Sequence, residues 1–181
     1  MASVEVIDSA SGTGAAVSMS LTGISGDYKH IQACMFLRTS NASETDTFWM
    51  TVNSSTASQY YIAGINSGFN STGPPWPFAE TSAGTTMYAA LGPMVSGNGA
   101  TAGAHTPIEM WFVNYADSTT KNCGIITWRA GDNTNNSTNS KNPVGVAGWY
   151  SDVAEAVTSI QIGCGNNIDT DSWITLYGWR G

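Results

Sequence analysis

The chain has 181 residues and a formal net charge of −7, from 6 basic and 13 acidic side chains, and only 10% of its positions are charged against roughly 25% in an average soluble protein. Its 20 Gly, 21 Ser, 21 Thr and 14 Asn do the solvating that Lys and Glu usually do. Six dispersed cations cannot build the phosphate-neutralising face of a nucleic-acid binder, and no apolar run approaches the about 20 residues of a membrane-spanning helix, so neither nucleic acid nor membrane is expected as a partner.

In chain order, residues 1–14 carry small side chains and few anchors, and are expected to be an N-terminal arm that orders on assembly. Residues 15–181 are expected to form one domain. Within it, strands are predicted near Ala16–Ile24, Tyr28–Ser40, Thr45–Asn53, Tyr60–Asn66, Thr85–Leu91, Pro107–Tyr115, Cys123–Ala130, Val144–Tyr150, Thr158–Gly163 and Ser172–Trp179. The second shows the reason: Ile31, Ala33, Met35 and Leu37 alternate with Gln32, Cys34, Phe36 and Arg38, the period of two of a half-buried strand. Clusters such as Ser25-Gly-Asp27 and Ser96-Gly-Asn-Gly99 separate the strands with turn chemistry. Gly73-Pro-Pro-Trp-Pro-Phe78 reads as a stiff, extended loop carrying Trp76. The glycine-rich connection from Leu91 to Thr106 reads as a surface arm or a loop ordered by a neighbour, and Asp152–Ala156 as a single helical turn capped by Asp152. Many short strands without a fixed repeat predict an all-β sandwich or barrel.

The start of the chain lacks the basic and apolar regions of a secretory signal. The odd number of widely spaced cysteines, Cys34, Cys123 and Cys164, fits assembly in a reducing cytoplasm. The Asn-x-Ser/Thr sequons are expected by chance in so Asn-, Ser- and Thr-rich a chain.

Three groups of segments, in order along the chain, carry a resemblance. They are Leu21–Ile31 with Tyr28 leading into a strand that ends at Arg38; Ile108–Lys121 with its Asn114-Tyr115-Ala116 turn; and Gly148-Trp-Tyr150, Ala156–Ile162 and Ser172–Gly178, closing in Leu176-Tyr177-Gly178. Together they resemble a broad family of tailed-bacteriophage virion surface proteins. The resemblance implies a jelly-roll-like β-sandwich on the outside of a phage particle, either a capsid decoration protein or part of a fibre or tail appendage. The Pro-Pro-Trp-Pro loop and several tryptophans depart from the family's pattern.

His30 and His105 have no second His at ligand spacing, and no Cys-x-x-Cys, Gly-x-Ser-x-Gly or phosphate-cradling loop occurs. Asp46, Glu80, Glu109, Asp132 and Asp171 are the acids from which a glycosidase pair would have to come, and surface solvation is the simpler reading. The oxygen-rich Asn166–Asp171 stretch reads as an Asx turn more readily than as a Ca²⁺ loop. The chain is therefore expected to be non-enzymatic, without cofactor or metal. The expected function is a capsid decoration or cement protein, self-associating as a trimer and docking on the major capsid protein at the virion surface. The alternative is a fibre adhesin that binds host-surface glycan through Tyr60, Tyr61, Trp76 and Phe78. Tyr28, Arg38, Asn114, Tyr115, Leu176, Tyr177 and Gly178 are expected to serve structure.

Overall fold

A computed structural model describes residues 3–55, 60–67, 76–79, 85–87, 94–100, 102–129 and 144–181. Every regular element among them is a strand: β1 (Ser3–Ser11), β2 (Ser18–Leu21), β3 (His30–Leu37), β4 (Thr45–Val52), β5 (Tyr60–Ser67), β6 (Trp76–Ala79), β7 (Met94–Ser96), β8 (Thr106–Val113), β9 (Cys123–Arg129), β10 (Val144–Ser151), β11 (Ile160–Cys164) and β12 (Trp173–Arg180). No helix among the described residues is long and apolar enough to cross a membrane.

The strands form an eight-stranded sheet in the order β1-β12-β3-β8-β9-β10-β5-β6 and a four-stranded sheet in the order β2-β11-β4-β7. The chain alternates between sheets through its first four strands, and β11 and β12 return to lie between β2 and β4 and between β1 and β3. That path is the double Greek key of a jelly roll. Eight strands make the roll, and β9, β10, β5 and β6 extend the larger sheet beyond β8. The expected all-β, jelly-roll-like antiparallel sandwich is the fold observed.

The alternation of residue types explains the layers. Ile31, Ala33, Met35 and Leu37 of β3, Ile174 and Leu176 of β12, and Met110 and Phe112 of β8 face Leu21, Phe48, Met50, Val52, Ile160 and Ile162 of the small sheet in one buried core. At roughly 1.5–3 kcal/mol for each fully buried large aliphatic side chain, this double layer is the main source of stability. Several rings lie flat over glycines: Trp128 over Gly145, Trp49 over Gly163 and Tyr28 over Gly178. In each case a Cβ on the glycine would sit within 2.3 Å of the ring.

Several expectations change. Residues 3–11 of the expected arm form β1, antiparallel to β12 from Ser3↔Arg180 to Ser11↔Trp173, with a register shift between Val6 and Asp8. Backbone pairing within the chain thus orders them, although most of their side chains are exposed. Trp76–Ala79 of the proline-rich loop is β6, an edge strand paired with β5, where a proline's missing N–H is tolerated. The Leu91–Thr106 connection is not a free arm along its described length: β7 pairs with β4, Ser96 is buried, and Gly97 N donates to Glu44 O. Asp152–Ala156 forms no helical turn, because its polar groups are used elsewhere. Asp152 pairs with Lys121, Asn122 Nδ2 donates to Glu155 O, and Asn53 Nδ2 donates to Ala156 O. From Thr85–Leu91, only Met87 shows pairing among the described residues, in a bridge to Met50.

Candidate functional site

The register of the large sheet sorts its outward side chains into rows that run across the strands. One row passes through Thr175, Cys34, Glu109, Thr127, Val146 and Ile65, each directly opposite the next. The row beside it contains Trp173, Phe36 and Pro107, with Arg129 and Val144 farther along. Apart from Thr175, these residues line a trough of about 730 Å³. Cys34, Pro107 and Thr127 contribute short side chains to it, while the larger Trp173 and Ile65 stand on its outermost strands, β12 and β5. On the far side, the next row carries Tyr177, Gln32, Trp111 and Ile125.

This outward face is mainly apolar, with Gln32, Glu109, Thr127, Thr175 and Arg129 as its polar members. Apart from Val17 and Val153, every exposed large hydrophobic side chain among the described residues lies on it, from Val4 and Val6 on β1, the latter 61% exposed, through Trp173, Phe36, Ile125, Val144, Val146 and Tyr150 to Ile65 on β5. Monomeric soluble proteins rarely leave so continuous an apolar patch in water without a use for it.

Few polar groups interrupt the face. Glu109 Oε1 accepts from Gln32 Nε2 at 2.8 Å and from Trp111 Nε1 at 2.6 Å, and Gln32 Oε1 accepts from Trp179 Nε1 at 3.1 Å. Trp111 and Trp179 pack at 5.4 Å between ring centroids. Burial, and secondarily the Glu109 carboxylate, push the Cys34 thiol above its usual pKa. At the end of the trough Trp173, Phe36 and His105 stack in sequence, at 5.9 Å and 6.0 Å. His105 Nε2 lies 3.3 Å from Asp171 Oδ2. Arg129 is exposed and has no salt-bridge partner among the described residues.

Of the four residues expected to form a glycan-contact surface, the three with described side chains, Tyr60, Tyr61 and Phe78, are not brought together. Tyr60 is 1% exposed, with its hydroxyl 2.9 Å from Val52 N as acceptor, so it is a core residue. Its position opposite Ser151 puts it on the inner face of the sheet. Phe78 packs against the core and meets Trp128 edge-on at 6.1 Å. Tyr61 alone belongs to the outer face, stacked on Tyr150 at 4.6 Å. Trp76 lies in β6, and its side chain is outside the described set.

The residues expected to serve structure are placed as follows. Tyr115 is buried; its hydroxyl donates to Ser25 O at 2.7 Å and accepts from Tyr28 N at 3.0 Å, clasping the turn before β3. Asn114 holds the left-handed φ of 56° that starts its turn, a conformation Asn tolerates better than most side chains. Tyr28 lies against Gly178 on one side and takes the Arg180 guanidinium at 5.0 Å from its ring centroid, and its hydroxyl and Arg180 both reach Glu5 at 3.2 Å. Leu176 is wholly buried, and Tyr177 faces outward in the row beside the trough. Arg38 is buried, 3.4 Å from Asp169 and 3.1 Å from Asn98 Oδ1.

The same contacts account for the oxygen-rich loop. Asn166 donates to Asp46 Oδ2 through its backbone N and its Nδ2, Asp169 faces Arg38, and Asp171 faces His105. These side chains thus point to separate partners, and no group of three or more metal-ligating residues gathers among the described residues. Of the acids considered for catalysis, Asp46 lies in the small sheet and Glu109 on the outer face of the large one; Glu80 and Asp132 fall outside the described residues. The trough itself was missed by sequence reasoning, because its rows join residues of β12, β3, β8, β9, β10 and β5 that the sequence keeps far apart. The one local signal was the apolar outward set of β10, Val144 and Val146.

A scan against family models finds no match to this chain, and searches of the curated proteins and of the solved structures find none either.

Proposed function

We propose that the chain is a non-enzymatic structural protein of a tailed-phage particle, a decoration or cement protein that docks on the major capsid protein and stabilises the capsid. The single observation that carries the proposal is the predominantly apolar outer face of the large sheet, where most of the exposed large hydrophobic side chains lie. The resemblance of the Tyr28–Arg38, Asn114–Lys121 and Leu176-Tyr177-Gly178 segments to virion surface proteins supplies the setting. Docking through such a face gains about 25 cal/mol for each Å² of apolar surface removed from water and orders few long charged side chains. Self-association as a trimer belongs to the same proposal, as does a place at the virion surface.

The test is to mix the purified chain with capsids that lack it and count bound copies. Saturable binding at a copy number set by the capsid lattice, lost in an Ile125→Asp, Val6→Asp double variant that still folds, is the expected result. Absence of binding, or binding that survives the double variant, overturns it.

A second reading is favoured by one observation, the stack of exposed Tyr150 on half-buried Tyr61, which offers sugar rings an aromatic surface. In that reading the chain is a fibre or tail-appendage adhesin for host-surface glycan. Glycan-array binding that Tyr150→Ala removes supports it, and a blank array rejects it.

A further inference from the structure

We infer that the trough on the large sheet is a seat for an extended, mainly apolar peptide segment of a partner protein, with an acidic side chain of that segment meeting Arg129.

Shape selects the occupant first. The trough crosses β12, β3, β8, β9, β10 and β5; at about 4.8 Å between neighbouring strands that is a run of roughly 24 Å. Its two rows are separated by two residues along each strand, so it is about 7 Å wide. A flat subunit surface, or the equally concave face of a second copy, would bridge it and leave its floor empty. An extended chain of about seven residues, rising roughly 3.3 Å each, fits its length and width.

Chemistry narrows the choice. Along Cys34, Pro107, Val146, Ile65 and Trp173 a sugar would leave its hydroxyls desolvated without acceptors, whereas alternate apolar side chains of a peptide lose nothing there. Two polar features remain for orientation. Glu109 has one oxygen held by Gln32 and Trp111, and none of the observed hydrogen bonds ends on the other, which is open to a peptide N–H. Arg129 stands diagonally across from Glu109 at the rim, and the two form no ion pair. A guanidinium fork without a carboxylate partner among the described residues, beside a mainly apolar floor, favours a segment with one Asp or Glu. The inference rests on the trough alone and holds whether or not the partner is a capsid protein.

The test is to pan a library of random peptides of about seven residues against the full chain. Enriched peptides are expected to be mainly apolar with one acidic residue. They are expected to lose affinity roughly tenfold or more with Arg129→Glu and to regain it when their own acid is changed to Lys. Val146→Glu should abolish binding, Val6→Glu on the same face but outside the trough should not, and bound peptide should slow alkylation of Cys34 on the floor. All three positions are exposed, so these variants retain the fold, which thermal unfolding checks. No enrichment, binding indifferent to Arg129→Glu and Val146→Glu, or capture of glycans in the trough in place of peptides would overturn the inference.

Discussion

The outer face of the four-stranded sheet presents Ser18, Ser20, Thr45, Thr47 and Gln161 around one large ring, Trp49, whereas the outer face of the eight-stranded sheet presents Val6, Ile125, Val146, Ile65, Phe36 and Trp173. The first face spends its polar groups locally: Gln161 Nε2 donates to Ser18 Oγ at 3.2 Å, and Trp49 Nε1 to Cys164 O at 3.2 Å. Covering it with a partner would strip water from many hydroxyls and amides, each of which would need a new hydrogen bond. Covering the second face strips water mainly from carbon. The low overall charge therefore hides an uneven distribution, in which hydroxyl-rich rows keep one side wet and the other side is left for contact.

Five substitutions break or sharpen that contrast, beginning with the layer both faces share. Leu176→Ala, in the core between the sheets, should cost about 2–5 kcal/mol in urea denaturation; a loss under about 1 kcal/mol would mean that the two sheets do not share one packed core. Gly163→Ala forces a methyl to 2.0 Å from the Trp49 ring and should cost about 1–3 kcal/mol, with a shift in tryptophan fluorescence as the one large ring of the polar face lifts. Exchanging the characters of the faces, with Ile125→Thr on one and Ser20→Val on the other, should change stability by no more than about 0.5 kcal/mol each. Sedimentation should then show self-association reduced by the first change and increased or unaltered by the second; the reverse order would refute the assignment of the contact face. The smallest effect concerns Cys34. Its thiol is raised first by burial and then by Glu109, so Glu109→Gln should speed alkylation of Cys34 at fixed pH only modestly. A large acceleration would show the carboxylate, not the apolar face, to be the dominant influence.

Legibility from sequence followed the same division. Where one side of a strand is buried and the other is not, as in β3 with Ile31, Ala33, Met35 and Leu37, the alternation announces the strand and its core face. β1 was missed because the bulge at Ile7 breaks its period and its small residues have little to bury. β6 and β7 were missed because a proline and a glycine-rich setting mask strands of four and three residues. The aromatics chosen as a contact surface failed for a related reason: Tyr60 and Tyr61 are neighbours in sequence, and neighbours in a strand face opposite sides. Residues that do meet in the trough come from six strands, and only the strand order and register reveal them.

The position of the last two strands has a consequence in time. β12 fills the slot between β1 and β3, and β11 the slot between β2 and β4, so neither sheet is continuous until residues 160–180 have left the ribosome. Earlier strands must wait with open edges, exposed to mispairing and aggregation, and closure through such distant contacts is slow. A chain cut before β11 would therefore hold two split sheets rather than a smaller sandwich, and the two strands from Ile160 to Arg180 act as a double bolt.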